Sequence, residues 1–222
     1  MDEAKSEMLY SASRRFGFIH IQKNAGISIS KVIADHVDDA QRIVSRHARV
    51  CDVVPAIGTE EWKSLYTFAV VRNPWDRLVS WYSMIAQRSS RYDPFFWKKP
   101  RIWRYAVKNS HDFKSFIKNC DAVVMDQGVE KSFAFDQLSY IEDAEGKIGV
   151  TFVARFENIT DDLSHVWETL NIDMSEAPRL NASKRPKDYR LHYDEETAEI
   201  VAHRFKRDID AFGYEFDDAA RY

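Results

Sequence analysis

Four side chains have the chemistry and the setting for a functional role: Lys23, Arg72, Ser80 and His47. Lys23 lies in FGFIHIQKNAGISIS, residues 16–30. Its first half carries Phe16, Phe18, Ile19 and Ile21 as a strand would, and its second half puts Ile29, Val32, Ile33 and Val37 on one helical face. The loop Gln22–Gly26 joins the halves. A strand feeding a helix through such a loop presents unpaired N–H groups at the positive end of the helix dipole, which makes an anion site. Lys23 adds a mobile point charge and Ser28 a hydroxyl. Arg72 follows a second apolar run, Phe68–Val71, in YTFAVVRNPWDRLVSWY. An Arg in that position can grip a phosphate with two parallel hydrogen bonds. Ser80, two turns into the following helix, reaches the same group only if that helix runs alongside it. A salt bridge from Arg72 to Asp76, and a packing role for Ser80, stay open as alternatives. His47 stands in a loop between the two units, and a neutral imidazole there suits a general base for an alcohol.

The elements that must position these groups are strands alternating with helices. Asn73-Pro74 marks the entry to a helix with Trp75, Leu78, Val79 and Tyr82 on one face. Pro55 and Gly58 punctuate the segment before the second strand. A third strand is expected over Val150–Phe156, followed by a helix that Thr160 caps, with Asp161 and Asp162 in its first turn. Asp194 caps a last helix, whose stripe is Ala198, Val201, Ala202, Phe205, Ile209 and Phe212, and Gly213 stops it. The pattern predicts an α/β fold: a single domain over residues 1–222 with a mainly parallel sheet flanked by helices, residues 1–14 being loosely ordered. In such sheets ligands sit beyond the carboxyl ends of the strands, where the Lys23 and Arg72 loops both fall.

The composition narrows the function. At 222 residues with 45% hydrophobic and 30% charged side chains, the chain is of a globular type. A net charge of −3 argues against nucleic acid as a partner. Two cysteines, Cys51 and Cys120, form no disulfide framework, and the polar start lacks a secretory leader, so a cytoplasmic location is expected. No run is long enough to span a membrane. The histidines are scattered without metal-ligand spacing, so no metal is expected. Residues 88–118 hold nine basic and two acidic side chains among many aromatics, which fits either an acceptor site for a glycan or a packed helical lid. Lys184, Arg185, Lys187 and Arg190 form a second basic cluster, a solvated loop or a flap over an anionic ligand. The Lys23 loop is neither a Walker A motif nor a dinucleotide fingerprint.

Together the two loops resemble a known family. FIHIQKNAGIS is similar to the 5′-phosphosulfate loop of sulfotransferases, and FAVVRNPWDRLVSWY to their 3′-phosphate motif. The likeness continues through FDQLSYI, VARFENIT, LNASKR and YDEETAEIVAHRFKRDIDAFGYEF, and is greatest to sulfotransferase family 2, in the bacterial branch of the carbohydrate sulfotransferases related to those acting on heparan and chondroitin. It implies a P-loop-like fold and transfer of a sulfuryl group from 3′-phosphoadenosine 5′-phosphosulfate (PAPS) to an acceptor hydroxyl, on a carbohydrate, with adenosine 3′,5′-bisphosphate (PAP) as product. It further implies that Lys23 stabilises the leaving group. The backbone of Asn24, Ala25, Gly26, Ile27 and Ser28, with the Ser28 hydroxyl, would cradle the 5′-phosphosulfate. Arg72 and Ser80 would bind the 3′-phosphate, His47 would be the base, and Ser183, Lys184 and Arg185 would close over the nucleotide. The chain departs from the family in having Gln22 where Pro is usual before the Lys, Asn24 where Thr is usual after it, and Ile27 where Thr or Gly is common. A module that keeps the phosphate loops and binds nucleotide or glycan without turnover is the alternative. The oligomeric state is not encoded in any of these patterns.

Overall fold

In chain order the elements are β1 (Met8–Ser11), β2 (Phe16–Ile19), α1 (Gly26–His36), β3 (Gln41–Ile43), α2 (Val50–Ile57), α3 (Thr59–Ser64), β4 (Tyr66–Val71), α4 (Pro74–Arg88), α5 (Arg101–Asn109), α6 (Phe113–Asn119), β5 (Val124–Asp126), β6 (Val129–Lys131), α7 (Leu138–Ile141), β7 (Phe152–Arg155), α8 (Ile159–Thr169), α9 (Glu195–Arg204) and α10 (Lys206–Phe212). They come from a computed structural model that describes residues 8–43, 48–88, 92, 94–126, 128–173 and 188–217. Contacts divide the chain into two compact units. One comprises residues 1–72 and 137–183 with the last two residues, and the other residues 73–136 and 184–220.

The first unit is built on a five-stranded sheet ordered β3-β1-β2-β4-β7. β2, β4 and β7 pair in parallel, while β1 runs antiparallel to both β2 and β3. Four strands therefore share one direction, and the expected mainly parallel α/β sheet is observed. On one face Ile29, Val32 and Ile33 of α1 and Leu163, Val166 and Trp167 of α8 meet Phe16, Phe18, Phe68 and Val70 in one apolar core. The central strands are apolar on both faces, as buried parallel strands are. β1 falls within the segment expected to be loosely ordered. Its Met8 and Leu9 are buried, and Asp39 secures the turn that follows by accepting hydrogen bonds from Ser11 Oγ (2.6 Å), Ser13 N (2.9 Å) and Ser13 Oγ (2.8 Å).

Several local expectations change. The third strand is shorter than expected at both ends: a 3-10 turn takes Phe156–Asn158, and before Phe152 the Thr151 amide donates to the Thr67 hydroxyl (2.9 Å). α8 starts at Ile159, so Thr160 lies inside it rather than at its cap, and Asp162 turns back to accept from Arg155 N at 2.6 Å. Pro55 sits within α2, whereas Gly58, at φ 92°, separates α2 from α3.

In the second unit the Asn73-Pro74 turn opens α4 as expected. Asn73 Oδ1 accepts from Trp75 N (3.1 Å), while Nδ2 donates to Glu215 O (2.9 Å). Asp194 caps α9 in a reciprocal box with Thr197, and its other carboxylate oxygen takes Lys114 Nζ at 2.7 Å. The last helix is not continuous. It breaks at Phe205 (φ −104°, ψ 25°) into α9 and α10, and Gly213 ends α10 in the left-handed conformation. Its buried stripe also differs from the expected one: Thr197, Val201, Phe205, Asp208 and Phe212 point inward, and Ala202 is exposed. The basic aromatic segment is partly core and partly surface. Phe96, Ile102, Phe113 and Phe116 are buried, yet Phe95 and Trp97 are 58% and 67% exposed. Among the described residues no helix is long and apolar enough to cross a membrane.

Candidate active site

β2, β4 and β7 are adjacent and parallel, so their carboxyl ends lie on one edge of the sheet. The residues just past those ends are His20–Gly26, Arg72 and Phe156. The predicted anion loop therefore sits where ligands bind in sheets of this kind.

The loop has an unusual backbone. Lys23 and Ala25 adopt positive φ, 72° and 62°, although neither is glycine. Each such residue costs about 1–2 kcal/mol in backbone sterics, and survives only where its surroundings demand it. The Ala25 methyl packs against the apolar core, a contact glycine could not make. α1 then begins at Gly26 with neither a side-chain cap nor an acidic residue in its first turn. Ser28 N and Ile29 N both donate to Ala25 O, at 2.9 and 3.1 Å. The amides of Gly26 and Ile27 lie at the first two helical positions, which have no intrahelical acceptor. Ser28 therefore offers its hydroxyl, its amide being already used. Lys23 and Ser28 are half-buried at the edge of the site, and the Ile27 side chain is 65% exposed.

The Asn24 side chain takes no part in the expected cradle, which called on its backbone. Its side chain points inward and is 1% exposed. Nδ2 donates to Val70 O and to Gln137 Oε1, both at 2.7 Å, while Oδ1 accepts no hydrogen bond among the described residues. Only the Asn24 backbone remains for the proposed cradle.

Arg72 is equally embedded. Its guanidinium donates from Nη1 to Lys23 O at 2.8 Å and lies over the Phe156 ring, 3.8 Å from the centroid. The cation thus touches the backbone of the anion loop directly. Ser80 belongs to α4 in the second unit, partly exposed behind the buried Leu78 and Val79. His47, Ser183, Lys184 and Arg185 lie outside the described residues.

Two residues at the site were not assigned a role from sequence. Gln137 was one, although FDQLSYI was among the stretches that resembled the family. His20 was the other. Its imidazole stacks on Phe18 at 5.9 Å and fills the space beside Gly26, where an added Cβ would fall 1.9 Å from His20 Cδ2. Glycine at position 26 is therefore required by this close approach, with α1 beginning against the ring. Burial, and secondarily the positive charge of Arg42, hold the His20 pKa down to about 4, so the ring is neutral near pH 7. A His closing an apolar strand six residues before a loop Gly was the available signal.

The profile of the sulfotransferase family matches residues 6–215. The chain belongs to the sulfotransferase family. No curated protein and no solved structure matches it. Family membership supports a transferase acting in sulfotransfer, with a hydroxyl-bearing acceptor. For this sulfotransferase, the chemistry of the loop fits an anionic donor: an uncapped helix start, Lys23, a serine hydroxyl and no first-turn carboxylate to repel it.

Proposed function

We propose that this sulfotransferase moves a sulfuryl group from PAPS to a hydroxyl of a carbohydrate acceptor and releases PAP. The observation that carries the reading is the joining of the two phosphate-type motifs at one sheet edge, where Arg72 donates to the carbonyl of Lys23. PAPS supplies a sulfuryl group on a phosphate leaving group. Lys23 offsets the charge that develops on that phosphate, and the backbone of Asn24–Ile27 with the Ser28 hydroxyl holds the 5′ end. Arg72 and Ser80 hold the 3′-phosphate, and Ser183, Lys184 and Arg185 close over the nucleotide. His47 takes the acceptor proton. The protein's work in such a transfer is positioning and charge stabilisation. For the acceptor, the exposed rings of Phe95 and Trp97 support a glycan: Lys98 lies 5.1 Å from the Phe95 ring, and Lys108 4.9 Å from the Trp97 ring, a combination that suits sugar faces and anionic groups.

A thermal titration with PAP tests the donor. At 100 times its dissociation constant a ligand adds about 2.7 kcal/mol, roughly 5–11 °C of Tm for a chain of this size. PAP should give that shift and adenosine 5′-diphosphate much less. Equal shifts would point to a general nucleotide site, and no shift in folded protein would refute the reading.

A further inference from the structure

The loop's two left-handed residues need something to hold them, and the residue that does so comes from far along the chain. Gln137 is fully buried, just before α7. Its Oε1 accepts from Arg72 N (2.9 Å) and its Nε2 donates to Arg72 O (2.8 Å), so its amide pairs with the end of β4 as a neighbouring strand would. The same Oε1 accepts from Asn24 Nδ2 at 2.7 Å. Asn24 stands between Lys23 and Ala25, the two residues at positive φ. Asn24 also donates to Val70 O, two residues before Arg72, and Arg72 returns to Lys23 O. The bonds close a ring: Gln137 to Asn24, along the loop to Lys23, through the Arg72 side chain to the Arg72 backbone, and back to Gln137.

We propose that Gln137 is a positioning residue that fixes the anion loop in its ligand-binding shape and sets Arg72 and Lys23 relative to each other. The role deepens the proposed donor site and rests on that reading. One amide oxygen serves both motifs, so losing it releases Asn24 and the Arg72 backbone together. Asn24 would then be free to turn, and the left-handed conformations on either side of it would relax toward ordinary ones. Lys23 and the amides of the helix start would lose their common orientation. The departure from the family's usual Thr at position 24 acquires a function here, because the longer amide of Asn reaches both Val70 O and Gln137.

Gln137→Glu gives the test. As a carboxylate it keeps the acceptor but cannot donate to Arg72 O. As a carboxylic acid its carbonyl and hydroxyl reproduce both functions of the Gln amide, and burial favours that protonated form. Two quantities are read at pH 8 and pH 5.5, beside wild-type protein: hydrogen exchange without ligand of the Ser28 and Ile29 amides, which donate to Ala25 O, and the dissociation constant for PAP by calorimetry. At pH 8 the variant should exchange these amides at least ten times faster and bind PAP at least tenfold more weakly, with both recovering toward wild type at pH 5.5. Gln137→Met, of similar length but without the hydrogen bonds and without a titrating group, is read beside it and should show the fast exchange and weak binding at both pH values. Wild-type exchange in folded Gln137→Met would overturn the proposal, as would an equal rise in the amides of α8 in either variant, which would mark a purely general loss of stability. Failure of wild-type protein to bind PAP would refute the donor reading instead, and the ligand-free exchange would still decide the role of Gln137.

Discussion

Lowering the pH should remove stability through His20 before the carboxylates respond. The imidazole titrates near 4 in the folded protein against 6.5 when unfolded, because it is buried between Phe18 and the start of α1 with Arg42 nearby. The unfolded chain thus binds the proton more readily. His20's contribution is fully present above pH 6.5 and is lost as pH falls from 6.5 toward 4. Each unit in that window is worth about 1.4 kcal/mol, so His20 accounts for about 2 kcal/mol lost by pH 5 and roughly 3 kcal/mol by pH 4. Asp39, whose three hydrogen bonds from Ser11 and Ser13 hold it down to about 2, and Asp194, held low by Lys114 and Thr197, contribute losses only at more acid pH. Urea unfolding at pH 8, 7, 6 and 5, run in parallel on wild type and His20→Leu, isolates the effect as the difference between the two curves. The difference should shrink by about 2 kcal/mol between pH 7 and pH 5. Parallel curves across that range would show that His20 is solvated or charged in the native state, and the packing argument for Gly26 would fall with it.

Other substitutions test the site and its supports. Lys23→Ala should lower turnover by about 100-fold or more while leaving Tm nearly unchanged, by analogy with the loss of a single oxyanion donor; full turnover in an activity assay would remove Lys23 from the mechanism. Gly26→Ala should cost about 1–3 kcal/mol by overpacking against His20, and a double-mutant cycle with His20→Ala should recover much of it; simple additivity in urea denaturation would deny the contact. Asp194→Ala removes the cap of α9 and should cost about 1 kcal/mol, read as a lower urea midpoint with an unchanged slope.

The parts of this fold that could be read from sequence are those set by short-range pattern. β2, the Lys23 loop and α1 follow from four apolar residues, a Gly and a helical stripe within residues 16–37, and the core residues Ile29, Val32 and Ile33 are the ones the stripe named. The Asn73-Pro74 entry, the Asp194 cap and the Gly213 stop depend on neighbours only a few residues away, and each is observed. Pattern fails where a neighbouring element intrudes. The 3-10 turn over Phe156–Asn158 runs directly into α8, so the helix starts at Ile159 before Thr160 can cap it, and Asp162 accepts instead from the Arg155 amide at the end of β7. The stripe through Phe205 carries a continuous helical period, but the backbone breaks there while Phe205 and Phe212 both stay buried.

The candidate site divides in the same way. Lys23, Gly26, Ser28 and Arg72 could be named because each sits just after a strand or at a helix start, a position legible from a dozen residues. What holds them could not, since Gln137 lies 113 residues from Asn24 and 65 from the Arg72 amide it pairs with. A buried Gln in the middle of FDQLSYI carries no periodicity of its own, and its partners are mostly backbone atoms, which have no sequence signature at all. The same is true of Arg72, whose type suggests a ligand for phosphate while its burial under Phe156 and its bond to Lys23 O give it a second duty as part of the loop's frame. Replacing it would therefore alter the Lys23 backbone as well as any phosphate contact. A fall in nucleotide affinity in an Arg72 variant cannot be assigned to a lost charge until loop exchange has been measured beside it.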